Sequence, residues 1–345
     1  MISGIRFEKE VTEARLLDPS KGFSETVQTI ERRKDPLLER WCRINAQRAN
    51  RPKDLSRDSS LEELAKSTEK GCFFCPANIE SSTPKFPPSL APEGRIRVGA
   101  STVFPNLFPF ARHHAVVTLS ETHYVPLERM GEEVVGDGLR ASVEYARRLH
   151  ARDPESRYLS VNWNCLPTAA ASLMHPHFQV VADVTPTRYV GAALAASLSY
   201  FSRNGSSFWP DLCAAEEAGG ERFASRDGAF SWVAAFAPMG NNEVVGIADG
   251  ASELLGLDES GIGDLARGLL KALRVYGRLG VQGLNMALYS GPLGHETGGF
   301  SLHVRLISRP KLKQLYTSDA GFMERLHDEV VVETWPEDVA RELRA

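Results

Sequence analysis

The sequence predicts an α+β chain that uses one plan twice, an antiparallel sheet with helices packed on it in each half. Short runs rich in Val, Ile, Phe and Tyr recur in pairs, and long amphipathic stretches separate them. The succession strand, strand, helix, strand, strand occurs once before residue 190 and once after it. The chain has 345 residues, 42% apolar and 24% charged, enough for two packed units.

Residues 1–35 show no clear period and are expected to be helical or irregular. A short strand is expected over 40–45, followed by Arg48 and Arg51 beside Pro52. Residues 52–70 are charged and Ser-rich, a loop or surface helix, and 71–94 form a Pro- and Ser-rich irregular excursion. One strand over 95–110 runs into a proline-bounded turn, and a second covers 113–120. A helix follows over 127–152 despite its glycines. Strands at 158–164 and 177–184 close the first unit, the second of them stopped by Thr185-Pro186. After helices at 187–203 and 208–218, the plan returns as strands at 229–238 and 242–249, a helix at 261–280, and strands at 283–291 and 300–310.

Composition excludes some functions. A net charge of −4 argues against a nucleic-acid coat or an anionic membrane surface as partner. Basic residues do cluster in 31–53, which suits a local anion site or a solvated face. The first ten residues lack an apolar signal core, and no run approaches the roughly 18 apolar residues of a membrane span. Five cysteines without secretory context suggest a reducing compartment, and the cytoplasm is the expected location.

The chemistry concentrates in 162–183, around His175, Pro176, His177, Phe178 and Gln179. Side chains of a strand alternate faces, so His175, His177 and Gln179 are expected on one side, with Met174, Phe178 and Val180 packed on the other. Two imidazoles and a carboxamide on one face are costly to bury without partners. Asn162, Asn164 and Ser172 in the preceding segment make a functional site the stronger reading.

A neutral imidazole can attack a phosphoryl centre and leave again. Its other ring nitrogen must then be hydrogen-bonded, often to a main-chain carbonyl. Pro176 fixes φ and could hold the His175 carbonyl within reach of the His177 ring. Gln179, Ser172, Asn164 and either Arg48 or Arg51 are candidate donors to the phosphoryl oxygens.

Cys72 and Cys75 form a Cys-x-x-Cys knuckle. A tetrahedral zinc needs two further ligands, for which His113, His114, His123 and His175 are candidates. A set of Cys72, Cys75, His123 and His175 would tie the Pro-rich excursion to the strand carrying His177. A redox pair or two buried thiols are the competing readings.

Together these residues resemble the galactose-1-phosphate uridylyltransferases and related nucleotidyltransferases of the histidine-triad superfamily. The resemblance runs from RWCRINAQRANRP to WPEDVARELR, through GCxxCP, VFPNLFP, the SETH turn, Asn164, and Ser172 ahead of HPHFQ. It implies a duplicated histidine-triad-like fold: a half over 1–190 with the zinc site and HPHFQ, and a degenerate half over 191–345. Zinc on Cys72, Cys75, His123 and His175, a nucleotidyl group carried by His177, and Gln179 holding the phosphoryl group follow from the same likeness. Asn164 and Ser172 match phosphate contacts, and Arg48, Arg51 and Asn106 match the nucleotide side. Implied substrates are a nucleotide sugar and a sugar 1-phosphate, with inorganic phosphate as the alternative acceptor and an inactive nucleotide binder as a third reading. A homodimer is a further expectation.

Three positions depart from the family pattern. Leu107 replaces an Asp that contacts the ribose in uridine-using members, Arg305 replaces the second His of a His-x-His metal pair begun at His303, and Val331 replaces a hexose-contacting Gln. Gln179 also stands where the hydrolase branch has a third His; an amide cannot protonate a leaving group, so transfer to a phosphate-bearing acceptor is expected over hydrolysis.

Overall fold

The computed structural model describes residues 4–50, 60–295, 297–313 and 318–345. Arg51, one of the expected phosphate contacts, lies outside them.

Residues 9–34 correct the expectation of a helical or irregular start. They form an antiparallel hairpin, β1 (Lys9–Asp18) and β2 (Ser24–Lys34), turning at Asp18, whose carboxylate accepts from the Ser20 N–H at 2.9 Å. Most of its side chains are exposed on both faces, so the strands show no polar–apolar alternation to recognise. The hairpin continues into β3 (Trp41–Ile44), a four-stranded sheet being completed much later by β14 (Val330–Val332), parallel to β3. Helices α1 (Leu61–Glu69) and α2 (Pro76–Ser82) follow, the second inside the stretch expected to be irregular.

The run over 95–110 is two strands, not one: β4 (Ile96–Val98) and β5 (Ser101–Pro105) form a hairpin about Gly99. Then come β6 (His113–Thr118), α3 (Glu132–Arg152), β7 (Tyr158–Cys165) and β8 (His177–Asp183). Past α4 (Arg188–Asn204) and α5 (Phe208–Gly219), the order repeats. It runs β9 (Phe223–Asp227), β10 (Phe230–Ala234), β11 (Val244–Ala248), α6 (Glu259–Arg278), β12 (Gly283–Tyr289) and β13 (His303–Arg309). Sequence reasoning missed β9, a short strand carrying Arg226 and Asp227. Helices α7 (Phe322–Leu326) and α8 (Pro336–Arg344) end the chain.

The expected duplication is present, and its two antiparallel halves are fused. Ten strands form one sheet in the order β4-β5-β6-β8-β7-β12-β13-β11-β10-β9, which has the same connectivity from either edge. The seam is the antiparallel pair β7·β12, where Asn164 faces Asn285. Both long helices lie on one face, over a core that joins Leu139, Tyr145, Trp163 and Phe178 to Leu269, Tyr276, Met286 and Leu306. Alternate residues of β7 and β8 feed this core, leaving His177, Gln179 and Val181 on the opposite face. On that opposite face the second half is covered by α4 and α5 through Tyr200, Phe208 and Trp209.

One tertiary device occurs in both halves. Gly99 and Gly228 turn the outer hairpins at φ 53°, in the sequences RVGA and RDGA. The next amide in each case is held by a carboxylate from the long helix: Ala100 N–H donates to Asp137 at 3.1 Å, and Ala229 N–H to Asp264 at 2.9 Å. A Cβ at either glycine would overlap that carboxylate. Arg140 pairs with Asp137 (3.2 Å) and with Glu259 at the start of α6 (2.8 Å). Arg267 pairs with Asp264 and with Glu132 at the start of α3, the latter at 3.2 Å, so the two helices are clamped symmetrically.

Candidate active site

The Cys-x-x-Cys knuckle lies between α1 and α2, with Cys75 at the N-cap of α2 and Pro76 opening the helix. Cys72, Cys75, His123 and His175 are buried, and their ligand atoms all lie within 4.8 Å of one another, so the cluster could hold a metal ion. Cys75 Sγ is 3.4 Å from His123 Nδ1 and 3.6 Å from His175 Nδ1. Tetrahedral bonds of about 2.3 Å to sulfur and 2.0–2.1 Å to nitrogen put such atoms about 3.6 Å apart. The far ring nitrogens are already used. His175 Nε2–H donates to the Ser120 carbonyl at 2.7 Å, and His123 Nε2–H to Thr68 Oγ1 at 3.0 Å, whose own hydroxyl is spent on Leu64 O. Both lone pairs therefore point inward. Without a cation, burial and the Cys72 sulfur push the Cys75 thiol up to about 12, and burial pushes His175 down to about 4. Two thiols and two imidazoles arranged in this way suit a divalent metal ion. Among the candidate histidines, His113 is held instead by Asp153 at 2.8 Å, and His114 Nε2 lies 2.8 Å from Gln179 Oε1.

From the cluster the chain runs directly into the expected nucleophile. His177 Nδ1–H donates to the carbonyl of His175 at 2.8 Å, the contact expected from the intervening proline. Its Nε2 then carries the lone pair, and burial keeps the ring below its usual pKa against the opposing pull of that carbonyl. Phe74, from the middle of the knuckle, packs edge-on against His177 with ring centroids 5.2 Å apart, and also against Phe104 at 5.3 Å. The cysteine–histidine cluster thus adjoins both the carbonyl that orients His177 and the ring that walls it in.

Gln179 lies two residues along the same face. Its Oε1 lies 2.8 Å from His114 Nε2. Asn106 is beside this pair, its amide nitrogen 3.2 Å from His114 Nε2 and its Oδ1 accepting from Phe108 N–H at 2.8 Å. Asn164 stands on the neighbouring β7 with its Oδ1 bound by Asn285 at 2.8 Å. After β7 the backbone enters a turn in which Leu166 (φ 72°) and Ala170 (φ 67°) are left-handed without being glycine, the strain of order 1–3 kcal/mol each that clusters at working sites. Ser172 follows in that loop, exposed. Arg48 is exposed and lines a cavity of about 430 Å³ with Arg309, Lys311, Phe322 and Val331, to which His177, Gln179 and Asn164 do not contribute. Leu107 is 64% exposed beside Asn106.

The same site in the second half is filled. In register, His303 and Arg305 occupy the places of His177 and Gln179, and His303 Nδ1–H donates to the Ser301 carbonyl at 2.9 Å, repeating the orienting bond. Here, however, Nε2 meets the Tyr189 hydroxyl at 2.9 Å and the ring stacks on Trp209 at 4.0 Å, with burial pushing it down to about 3. Arg305 is bound to the buried Glu243 at 3.0 Å and lies 3.7 Å from Asp35. Such a pair is most costly when broken from one side. Arg305→Ala is expected to lower the urea-unfolding free energy by about 3–5 kcal/mol, and a loss below about 1 kcal/mol would show that Glu243 does not depend on it.

Sequence reasoning missed Phe74, Asn285 and Arg309, and weighed His114 only as a metal ligand. Phe74 sits inside a recognised motif and could have been asked about; Asn285 carries no local signal at all.

No family model matches the chain. It is 30% identical to an uncharacterised protein of Archaeoglobus fulgidus over 343 residues, covering 99% of this chain and 98% of that one. It is 27% identical to an ADP-glucose phosphorylase of Arabidopsis thaliana over 302 residues, 79% of this chain and 81% of the relative. Two solved structures from Arabidopsis thaliana share the fold. An ADP-glucose phosphorylase with bound ADP-glucose superposes with a TM-score of 0.71 at 23% identity, covering 91% of this chain and 98% of that chain. A GalT-like protein superposes at 0.69 and 22% identity, with the same coverage of both chains. Among the described residues no helix is long and apolar enough to cross a membrane.

Proposed function

Because the chain belongs to the galactose-1-phosphate uridylyltransferase-like family of the histidine-triad superfamily, we propose that it is a nucleotidyltransferase that carries the nucleotidyl group on His177. The observation that carries this is the His177 ring held by the His175 carbonyl at 2.8 Å, with its other nitrogen free to attack. His177 Nε2 bonds to the α-phosphorus of a nucleoside diphosphate sugar, the bond from that phosphorus to the bridging oxygen breaks, and sugar 1-phosphate leaves with the electron pair. An oxygen of the second substrate then attacks the same phosphorus, the P–N bond breaks, and the imidazole is restored. Sugar 1-phosphate leaves as an anion and the Nδ1-protonated imidazole leaves as a neutral ring, so no proton donor is required and an amide at Gln179 suffices. The amides of Gln179 and Asn164, with Ser172, would hold the phosphoryl oxygens, and Asn106 the nucleotide. Zinc would be the metal of the Cys72, Cys75, His123 and His175 cluster, as a closed site that braces the fold and offers no open position for substrate.

Inorganic phosphate is the acceptor this reading favours, and an ADP-sugar the donor. The support is the 27% likeness to an ADP-glucose phosphorylase, together with Leu107 and Val331 in place of the residues that match uridine and hexose contacts. The second reading, transfer to a sugar 1-phosphate, rests on the shared HPHFQ chemistry. The two separate cleanly by products. With ADP-glucose and phosphate, equal amounts of ADP and glucose 1-phosphate are expected. Phosphate-independent exchange between UDP-glucose and galactose 1-phosphate, with no ADP release from the first mixture, would transfer the assignment to the uridylyltransferase reading.

A further inference from the structure

Asn164 Oδ1 is held at 2.8 Å by Asn285 Nδ2, across the seam between the two halves. Carboxamides can flip, so such a contact alone does not say which end faces the site. Here the direction is forced from the far end. Arg309 NH1 lies 2.8 Å from the other end of Asn285, and a guanidinium only donates. That end of Asn285 is therefore its oxygen, and its NH2 donates onward, to Asn164 at 2.8 Å and to the Ala169 carbonyl at 3.0 Å. Asn164 must in turn present its oxygen to Asn285, which leaves its NH2 for the site face. Arg309 is itself fixed by Asp319 at 2.6 Å and is only 16% exposed, so the chain begins at an anchored charge.

We propose that Asn285 and Arg309, both contributed by the second half, are positioning residues that set the polarity of the Asn164 amide as a donor to the substrate's phosphoryl oxygens. This rests on the nucleotidyl-transfer reading above. It gives the half without a nucleophile a part in the reaction: its β12 and β13 carry a one-way hydrogen-bond relay, Arg309 to Asn285 to Asn164, whose last donor serves the phosphate.

The measured quantity is the rate at which the full-length protein gains one nucleoside monophosphate in mass from ADP-glucose, or from whichever nucleoside diphosphate sugar labels it. Asn164→Ala is expected to slow labelling by about 10²-fold, as loss of one oxyanion donor does. Asn285→Asp keeps the size and strengthens the Arg309 pairing but cannot donate to Asn164, so the amide turns its oxygen to the site. A slowing of about tenfold is expected, with an unchanged or raised Tm. The double variant is expected to label within about twofold of Asn164→Ala, because Asn285 acts through Asn164. A purely structural role, or repulsion by the new charge, would multiply with the Asn164→Ala loss and overturn the relay, as would a wild-type rate for Asn285→Asp. Wild-type protein that takes up no nucleotidyl group from any donor overturns the transfer reading and the relay together, whereas normal labelling with multiplying effects overturns the relay alone.

Discussion

His177→Ala is expected to abolish the nucleotidyl adduct and to lower turnover by at least about 10³-fold, the scale of losing a nucleophile outright. Stability should fall by only about 1–2 kcal/mol. The ring is near one face of the core and not part of the apolar cluster, and the imidazole's hydrogen bond is to a carbonyl that can bind water once the ring is gone. His303→Ala supplies the contrast. That ring has the same orienting bond but is stacked on Trp209 and capped by Tyr189, so its loss is expected to act through stability and to leave adduct formation per folded molecule intact. The pair of variants separates the imidazole that reacts from the one that packs. Full turnover in His177→Ala, or an adduct retained at another residue, would refute the covalent route.

Cys75→Ser has the second largest expected effect. Cys75 Sγ is the atom measured against both histidines of the cluster, and an alcohol does not replace a thiolate as a metal ligand at neutral pH. On the proposed zinc assignment, metal analysis of the purified protein is expected to fall from about one zinc per chain to below half. A drop in Tm on the order of 5–10 °C is expected with it, since the cluster joins the α1–α2 excursion to the sheet. Activity should fall further than stability accounts for, because Phe74 and the His175 carbonyl both lose their anchor. Wild-type protein that purifies without metal and keeps its Tm in a strong chelator would remove the metal from the reading and leave a cluster of neutral thiols and imidazoles.

Much of this was legible in the chain because the chemistry sits in one strand and its approaches. HPHFQ announces its own geometry: a proline between two histidines fixes the carbonyl, and period two puts His177 and Gln179 together. Cys72 and Cys75 announce a site short of two ligands, and His123 and His175 are the histidines the fold brings beside them. The duplicated plan was legible from the recurrence of strand pairs about a long amphipathic helix. The exposed hairpin of β1 and β2 was not, since strands with little buried on either face leave no period to read. Nor was the split at Gly99, where a three-residue strand and its partner share one apolar run.

Sequence by itself determined the α+β class, the doubled plan and the residue types of the centre. Tertiary structure alone decided that the two sheets fuse at β7·β12, that the second imidazole is closed off by Tyr189 and Trp209, that Arg48 faces a different cavity, and that Asn164 is held by Asn285 and Arg309. The physical reason is range. Period, turn chemistry and ligand spacing act over a few residues and leave their mark in order, whereas a hydrogen bond between residues 164 and 285 is set by strand register across the whole fold.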